Sequence, residues 1–177
     1  MVLPSILFRK LATISITDPG SVKPLQSEHR KDQETIHEPC ESATREGISL
    51  IKGVGIDMVS IGEMSRYMKQ FGASFVSRTF TNREVSASKL SPNPAEYLST
   101  RFAAKEAVFK AVAHSTRSKQ FDPRIVETLN DSDGYPVVQV NTRLQALLDE
   151  AGIEFLHVSM ATEGDYATAI AVASSNH

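Results

Sequence analysis

Apolar and polar residues between positions 51 and 177 recur with two periods, which predict strands and helices in a definite order. The predicted elements are strand 51–59, helix 60–70, a short helix or turn 72–78, a helix opening at 81–84, a long helix 95–113, strands 124–130 and 135–140, helix 141–151, and strands 155–160 and 166–173. The turns at Asp133-Gly134 and at 163–165 are hairpin signals. Because hairpins build antiparallel sheets, the predicted class is α+β, with the long helix packed on an antiparallel sheet.

The first fifty residues have a different composition. Residues 1–17 include Arg9, Lys10 and several Ser and Thr, but no acidic residue, which is typical of an organelle-targeting presequence. Residues 27–47 are polar and charged with few large apolar side chains, as expected of a disordered linker. We therefore expect a presequence and linker over 1–50, a domain over 51–177, and a mitochondrial location; the alternative is a cytoplasmic protein with a dispensable tail.

The composition of the whole chain excludes several classes of partner and of binding site. With 177 residues, 41% hydrophobic and 23% charged, it can hold one ordinary domain plus an extension. No apolar run is long enough to span a membrane, and a net charge of −2 argues against general nucleic-acid binding. Cys40 is the only cysteine, which excludes an intrachain disulfide and a cysteine-based zinc site.

One acidic residue falls on an apolar face of the long helix. At helical spacing Glu106 lies within a stripe formed by Phe102, Phe109 and Ala113. A buried carboxylate is costly unless a cation compensates it, and that cation could be a metal ion. The same helix carries Arg101, Lys105 and Lys110. The alternative is a solvated helix face with an ordinary surface pair between Glu106 and Lys110.

A second acidic residue stands in the first strand. Aspartate is depleted in strands, so the presence of Asp57 in this strand requires an explanation. Ser60 and Glu63 have the spacing of a capping box, which places Asp57 close to the start of the next helix, where anions and ligands gather. The alternative is an edge-strand aspartate facing water. Asp57 and Glu106 together, with cations nearby, suit a magnesium site that also handles phosphate.

Five motifs follow one another along residues 51–173: Gly55-Ile-Asp-Met-Val59, Arg78-Thr-Phe-Thr-Asn-Arg-Glu84, Tyr97-Leu-Ser-Thr-Arg-Phe-Ala-Ala-Lys-Glu-Ala-Val-Phe-Lys-Ala111, Asn130-Asp-Ser-Asp-Gly-Tyr-Pro136, and His157-Val-Ser-Met160 followed by Asp165-Tyr-Ala167. In this order they resemble the holo-[acyl-carrier-protein] synthases, the small 4′-phosphopantetheinyl transferases. The resemblance implies transfer of the phosphopantetheine arm of coenzyme A to a serine of an acyl carrier protein, in support of fatty acid biosynthesis, with release of adenosine 3′,5′-bisphosphate.

The resemblance also implies roles for individual residues. Asp57 and Glu106 match the magnesium ligands, and Glu106, or a metal-bound water that it orients, is the expected base for the carrier serine. Lys110 matches a lysine near the transferred phosphate, and Arg101 matches a cation that contacts the nucleotide phosphates. Lys105 is a further expected contact to coenzyme A.

The sequence departs from the family pattern at two places. Ala113-His-Ser115 stands where the family has Gly-Thr-Gly, and Thr162 stands where it has a histidine near the nucleotide 3′-phosphate. Thr162 can donate a hydrogen bond but carries no charge, so Lys89 is a candidate substitute cation.

A basic surface is predicted over residues 60–83, from the cations Arg66, Lys69, Arg78 and Arg83. Acyl carrier proteins are acidic, so these cations are candidate docking residues; the alternative is an amphipathic helix whose apolar residues are simply core. The family forms trimers with coenzyme A between subunits, which makes a homotrimer the expected assembly. Two rival functions remain open: a weak or inactive carrier-binding module, and a different magnesium-dependent phosphotransferase or nuclease.

Overall fold

The computed structural model describes residues 50–116 and 122–176, and the predicted elements occur there in the predicted order. They are β1 Leu50–Ser60, α1 Ile61–Thr79, α2 Asn82–Ser88, α3 Pro94–Val112, β2 Glu127–Asn130, β3 Pro136–Gln139, α4 Thr142–Ala151, β4 Phe155–Glu163 and β5 Tyr166–Ser175. Short 3₁₀ helices cover Ala113–Ser115 and Pro123–Ile125. The predicted presequence and linker, with Cys40, lie outside the described residues.

The strands form two antiparallel sheets, one of three strands in the order β1-β5-β4 and one of β2 and β3. Helix α3 packs on one face of the three-stranded sheet. Small side chains meet at this contact: Ala103, Ala104, Ala107 and Ala111 of α3 and Ala169, Ala171 and Ala173 of β5 are all buried. The predicted α+β class, with a long helix on an antiparallel sheet, is confirmed.

Gly55 allows β1 to touch the backbone of α3. A Cβ atom at this position would lie 1.9 Å from the carbonyl oxygen of Ala107 and 2.8 Å from the amide nitrogen of Ala111. Any other residue would force the strand and the helix apart. Since Asp57 follows two residues later, this contact sets how close its carboxylate comes to α3.

The turn between β4 and β5 holds the start of α1. The hydroxyl of Ser60 accepts a hydrogen bond from the amide of Glu63, and the carboxylate of Asp165 accepts from the Ser60 hydroxyl and the Gly62 amide, both at 3.0 Å. The predicted capping box is only half formed, because the Glu63 carboxylate pairs with Arg66 at 3.2 Å. Further along, Gly72 has φ 55° and ψ −142°, which breaks α1 between the two segments predicted for it.

The face of the three-stranded sheet opposite α3 is apolar and exposed. Ile56 and Met58 are 61% and 62% exposed. Ile56 pairs with Ile170 on β5, which is also exposed, and Phe155 extends the same surface onto β4. We call this surface the open sheet face. Among the described residues, no helix combines the length and hydropathy needed to cross a membrane.

Candidate active site

Asp57 and Lys110 form an ion pair between β1 and α3. The Lys110 ammonium donates to the Asp57 carboxylate at 2.8 Å and to the carbonyl of Ile56 at 2.9 Å. Both side chains are about four-fifths buried, at 19% and 18% exposure. Burial is the largest influence on Asp57 and raises its pKa, while Lys110 acts in the opposite direction. The pair therefore joins strand and helix while leaving part of each charged group accessible.

Glu106 lies beside this pair and is buried, as its place on the apolar stripe predicted. The residue is 5% exposed, and its Oε1 atom has no hydrogen-bond partner among the described residues. Its pKa is raised from 4.5 to about 7, mainly by burial and to a smaller extent by the negative charge of Asp57, while Lys110 acts in the opposite direction. Two carboxylates thus share one cation in a poorly solvated place.

This arrangement has the chemistry of a divalent-cation site. The unpartnered Glu106 oxygen and the raised pKa indicate that ionisation of this group is costly here unless a positive charge compensates it. No group of three or more His, Cys, Asp or Glu side chains suited to a metal occurs within residues 50–116 and 122–176. Two carboxylates are nevertheless enough for Mg²⁺, which takes its remaining ligands from water and substrate phosphates.

Arg101, one turn before Lys105 on α3, is a buried cation of a different kind. It is 5% exposed, its guanidinium lies 3.6 Å from the centroid of the Tyr97 ring, and it donates to the hydroxyl of Thr100 at 2.9 Å and to the side-chain carbonyl of Asn130. Its Nε atom has no partner, and no carboxylate in the described ranges lies within 4.0 Å of it. Burial lowers its pKa, against smaller effects of Tyr97 and the more distant Glu84. A buried arginine without a carboxylate is suited to bind a phosphate.

Arg101 faces a cleft of about 400 Å³, which we call the Arg101 cleft. Its lining includes Glu96, Tyr97, Thr100, Arg101, Asn130, Pro136, Met160 and Thr162. The Thr162 hydroxyl donates to Glu96 at 3.2 Å. The structure thus brings together Arg101 and Thr162, two residues predicted to bind the cofactor. Lys89, the candidate substitute cation, is exposed at the C-terminal end of α2 and does not line the Arg101 cleft.

Lys105 is buried inside the protein and does not line the Arg101 cleft. Its side chain has no exposed surface, and its ammonium pairs with Glu84 at 2.9 Å and donates to the carbonyls of Pro123 and Val126. Burial lowers the pKa of Lys105, and Glu84 is the main opposing influence. All three of its donors are used inside the protein, so the geometry gives no support to a contact with coenzyme A, and that contact stays a prediction.

The predicted docking residues are exposed, but they do not all have the same surroundings. Arg66, Lys69 and Arg78 lie on α1, while Arg83 lies on α2 and pairs with Glu127 at 2.9 Å. The alternative of an amphipathic helix accounts for part of the apolar pattern, since Met64 and Phe75 are buried core residues.

Three residues of the Arg101 cleft were missed by the sequence reasoning: Glu96, Tyr97 and Asn130. Tyr97 lies four residues before Arg101, a spacing that could have predicted the contact. Asn130 opens the fourth motif but lies on β2, and the motif itself does not indicate its contact with Arg101. At the other departure from the family pattern, Ala113 has φ −61° and ψ −28°, an ordinary right-handed conformation that needs no glycine.

Comparison with known proteins shows which family the chain belongs to. Residues 53–171 match the family model of the 4′-phosphopantetheinyl transferase superfamily. A holo-[acyl-carrier-protein] synthase from Halothermothrix orenii is 32% identical over 123 residues, which cover 70% of this chain and 97% of that protein. The crystal structure of the synthase from Neisseria meningitidis has a TM-score of 0.64 at 35% identity, covering 70% of this chain and 98% of the other. An ACPS–CoA complex from Chronobacterium ammoniagenes has a TM-score of 0.59 at 28% identity, covering 68% and 95%.

Proposed function

We infer that this chain, which belongs to the 4′-phosphopantetheinyl transferase superfamily, is a holo-[acyl-carrier-protein] synthase. It transfers the 4′-phosphopantetheine group of coenzyme A to a serine of an apo acyl carrier protein and releases adenosine 3′,5′-bisphosphate. The observation that carries this conclusion is the cluster of Asp57, Glu106 and Lys110, which lies within the matched residues. Such a cluster provides the positioning and charge neutralisation on which phosphoryl transfer depends.

The proposal assigns Mg²⁺ to the two carboxylates of Asp57 and Glu106. When bound there, the ion supplies neutralisation of the charge on the pyrophosphate of coenzyme A. The unpartnered oxygen and raised pKa of Glu106 support this assignment, since they indicate a carboxylate prepared for a cation.

The remaining residues act on the substrates directly. Lys110 neutralises charge at the transferred phosphate, and its bonds to Asp57 and Ile56 keep its ammonium at the site. Glu106, or a water that it orients, accepts the proton of the attacking serine. Arg101 binds a phosphate of the nucleotide in the Arg101 cleft, with Thr162 at the same cleft.

The proposal extends to the assembly and the carrier. We propose a homotrimer in which other copies cover the open sheet face, because monomers rarely expose a continuous apolar surface of this kind. The acidic carrier docks on the basic surface of Arg66, Lys69, Arg78 and Arg83. A mitochondrial location and a presequence and linker over residues 1–50 complete the proposal, supported by the composition of residues 1–17.

The direct test is the intact mass of an apo acyl carrier protein after incubation with the full chain, coenzyme A and Mg²⁺. We expect a gain of one phosphopantetheine arm, lost with a chelator and lost with Glu106→Ala. Asp149→Ala is the matched control, because Asp149 is an exposed carboxylate on α4 that is absent from this site. No gain with several carriers would favour the inactive carrier-binding module instead.

A further inference from the structure

Two opposite charges line the Arg101 cleft. Arg101 is the buried cation described above, and Glu96 is the other charged residue among the described residues of its lining. Their formal charges cancel. A cleft lined by an arginine as its only charged residue would select strongly for phosphate, so a carboxylate in the same lining changes what this cleft recognises.

The Glu96 carboxylate is held in place from two sides. Oε1 accepts from the hydroxyl of Thr162 on β4, and Oε2 accepts from the side-chain amide of Asn93, which caps α3; both distances are 3.2 Å. The backbone amide of Glu96 donates back to the Asn93 side chain, also at 3.2 Å. The negative charge is therefore fixed at the cleft rather than spread over a freely rotating side chain.

A fixed carboxylate and an arginine have opposite preferences for the ribose of a nucleotide. A carboxylate accepts hydrogen bonds from ribose hydroxyls, whereas an arginine accommodates an additional phosphate on the ribose, and this contrast distinguishes NAD from NADP sites. The carboxylate also repels a phosphate monoester, which carries close to two negative charges at neutral pH. The Arg101 cleft contains one group of each kind.

We propose that Glu96 is a specificity-determining residue that weakens selection for the 3′-phosphate of the donor, so that 3′-dephospho-coenzyme A serves as a donor as well as coenzyme A. This rests on the proposed function, in which the nucleotide of coenzyme A lies in the Arg101 cleft. The reaction is the same with either donor. The serine oxygen bonds to the phosphorus that carries pantetheine, the pyrophosphate P–O bond breaks, and the serine proton passes to the base. With the dephosphorylated donor the leaving group is adenosine 5′-monophosphate.

The test measures nucleotide binding to the full chain by calorimetry. Dissociation constants of adenosine 3′,5′-bisphosphate and adenosine 5′-monophosphate are compared for the wild type, Glu96→Gln, Thr162→Val and Asp149→Asn. The wild type is expected to prefer the bisphosphate by less than about tenfold. Glu96→Gln should raise this preference by about fivefold to tenfold, the effect expected of one charge acting on a phosphate across a half-exposed cleft.

The other two variants show whether the change in preference comes from the Glu96 carboxylate or from any loss of negative charge. Thr162→Val removes the hydroxyl that holds Glu96, so it should raise the preference in the same direction by a smaller factor, and it tests the idea even if Glu96→Gln does not fold. Asp149→Asn makes the same change of charge on α4 and should leave the preference unchanged. Transfer assays with both donors should show the same ratios in kcat/KM.

The failures are distinguishable. A wild-type preference above about a hundredfold for the bisphosphate, or a preference that Glu96→Gln and Thr162→Val leave unchanged, overturns the role of Glu96 even where coenzyme A is an active donor. Transfer from neither donor contradicts the proposed function, and the two nucleotide dissociation constants then still decide whether Glu96 sets the preference of the cleft.

Discussion

Glu106 should make the stability of the metal-free protein fall as the pH rises. The pKa of its carboxyl group is 4.5 in an unfolded chain and about 7 in the fold, where burial and the charge of Asp57 disfavour ionisation. Between these values the folded state holds a proton that the unfolded state has lost, so raising the pH favours unfolding. Glu106 is only 5% exposed, so little solvent screening is expected. The difference between the two pKa values corresponds to a loss of about 3 kcal/mol in the free energy of unfolding, which is fully present above pH 7.

Glu106→Gln removes the titrating proton at nearly constant shape. In urea denaturation with a chelator, followed by circular dichroism from pH 4.5 to 8, the free energy of unfolding of the wild type should fall by about 3 kcal/mol relative to the variant. At pH 8, Mg²⁺ at about a hundred times its dissociation constant should return about 2.7 kcal/mol to the wild type and much less to Glu106→Gln. Parallel pH profiles for the two proteins would refute the account of Glu106 as a buried, destabilising carboxylate.

Three further predictions concern the framework and the carrier. Gly55→Ala should lower the free energy of unfolding by about 4 kcal/mol or prevent folding, because its Cβ would lie 1.9 Å from a carbonyl oxygen of α3. The control is Gly62→Ala, whose Cβ would meet only a flexible carboxylate at 3.1 Å. Equal melting temperatures for the two variants would contradict this prediction. Lys105→Met should lower the free energy of unfolding by about 3–5 kcal/mol, since it leaves Glu84 buried without its cation. The KM for coenzyme A should not change, and a raised KM would instead support a contact between Lys105 and coenzyme A. Joint replacement of Arg66 and Lys69 by Glu should raise the KM for the acyl carrier protein about tenfold and leave that for coenzyme A unaffected, and equal effects on both would exclude a docking role.

The sequence predicted the elements well and singled out Asp57 and Glu106, because both depend on local pattern. Asp57 and Glu106 stood out since each breaks the expectation of its own strand or helix. The burial of Lys105 was not predicted, because helical periodicity identifies one buried face, whereas α3 is buried on nearly all sides from Leu98 to Val108. The contact of Arg101 with Asn130 joins residues 29 positions apart, and only the fold brings them together.

The contact of Gly55 with α3 has a consequence for the tolerance of the active site to substitution. Because main chain meets main chain there, β1 and α3 cannot slide to absorb a longer or shorter acidic side chain. A change of one methylene group, as in Asp57→Glu or Glu106→Asp, is passed in full to the positions of the carboxylate oxygens. The spacing of these oxygens is thus a dimension of the backbone, and in this protein a chemically conservative exchange at either position is a geometrically disruptive one.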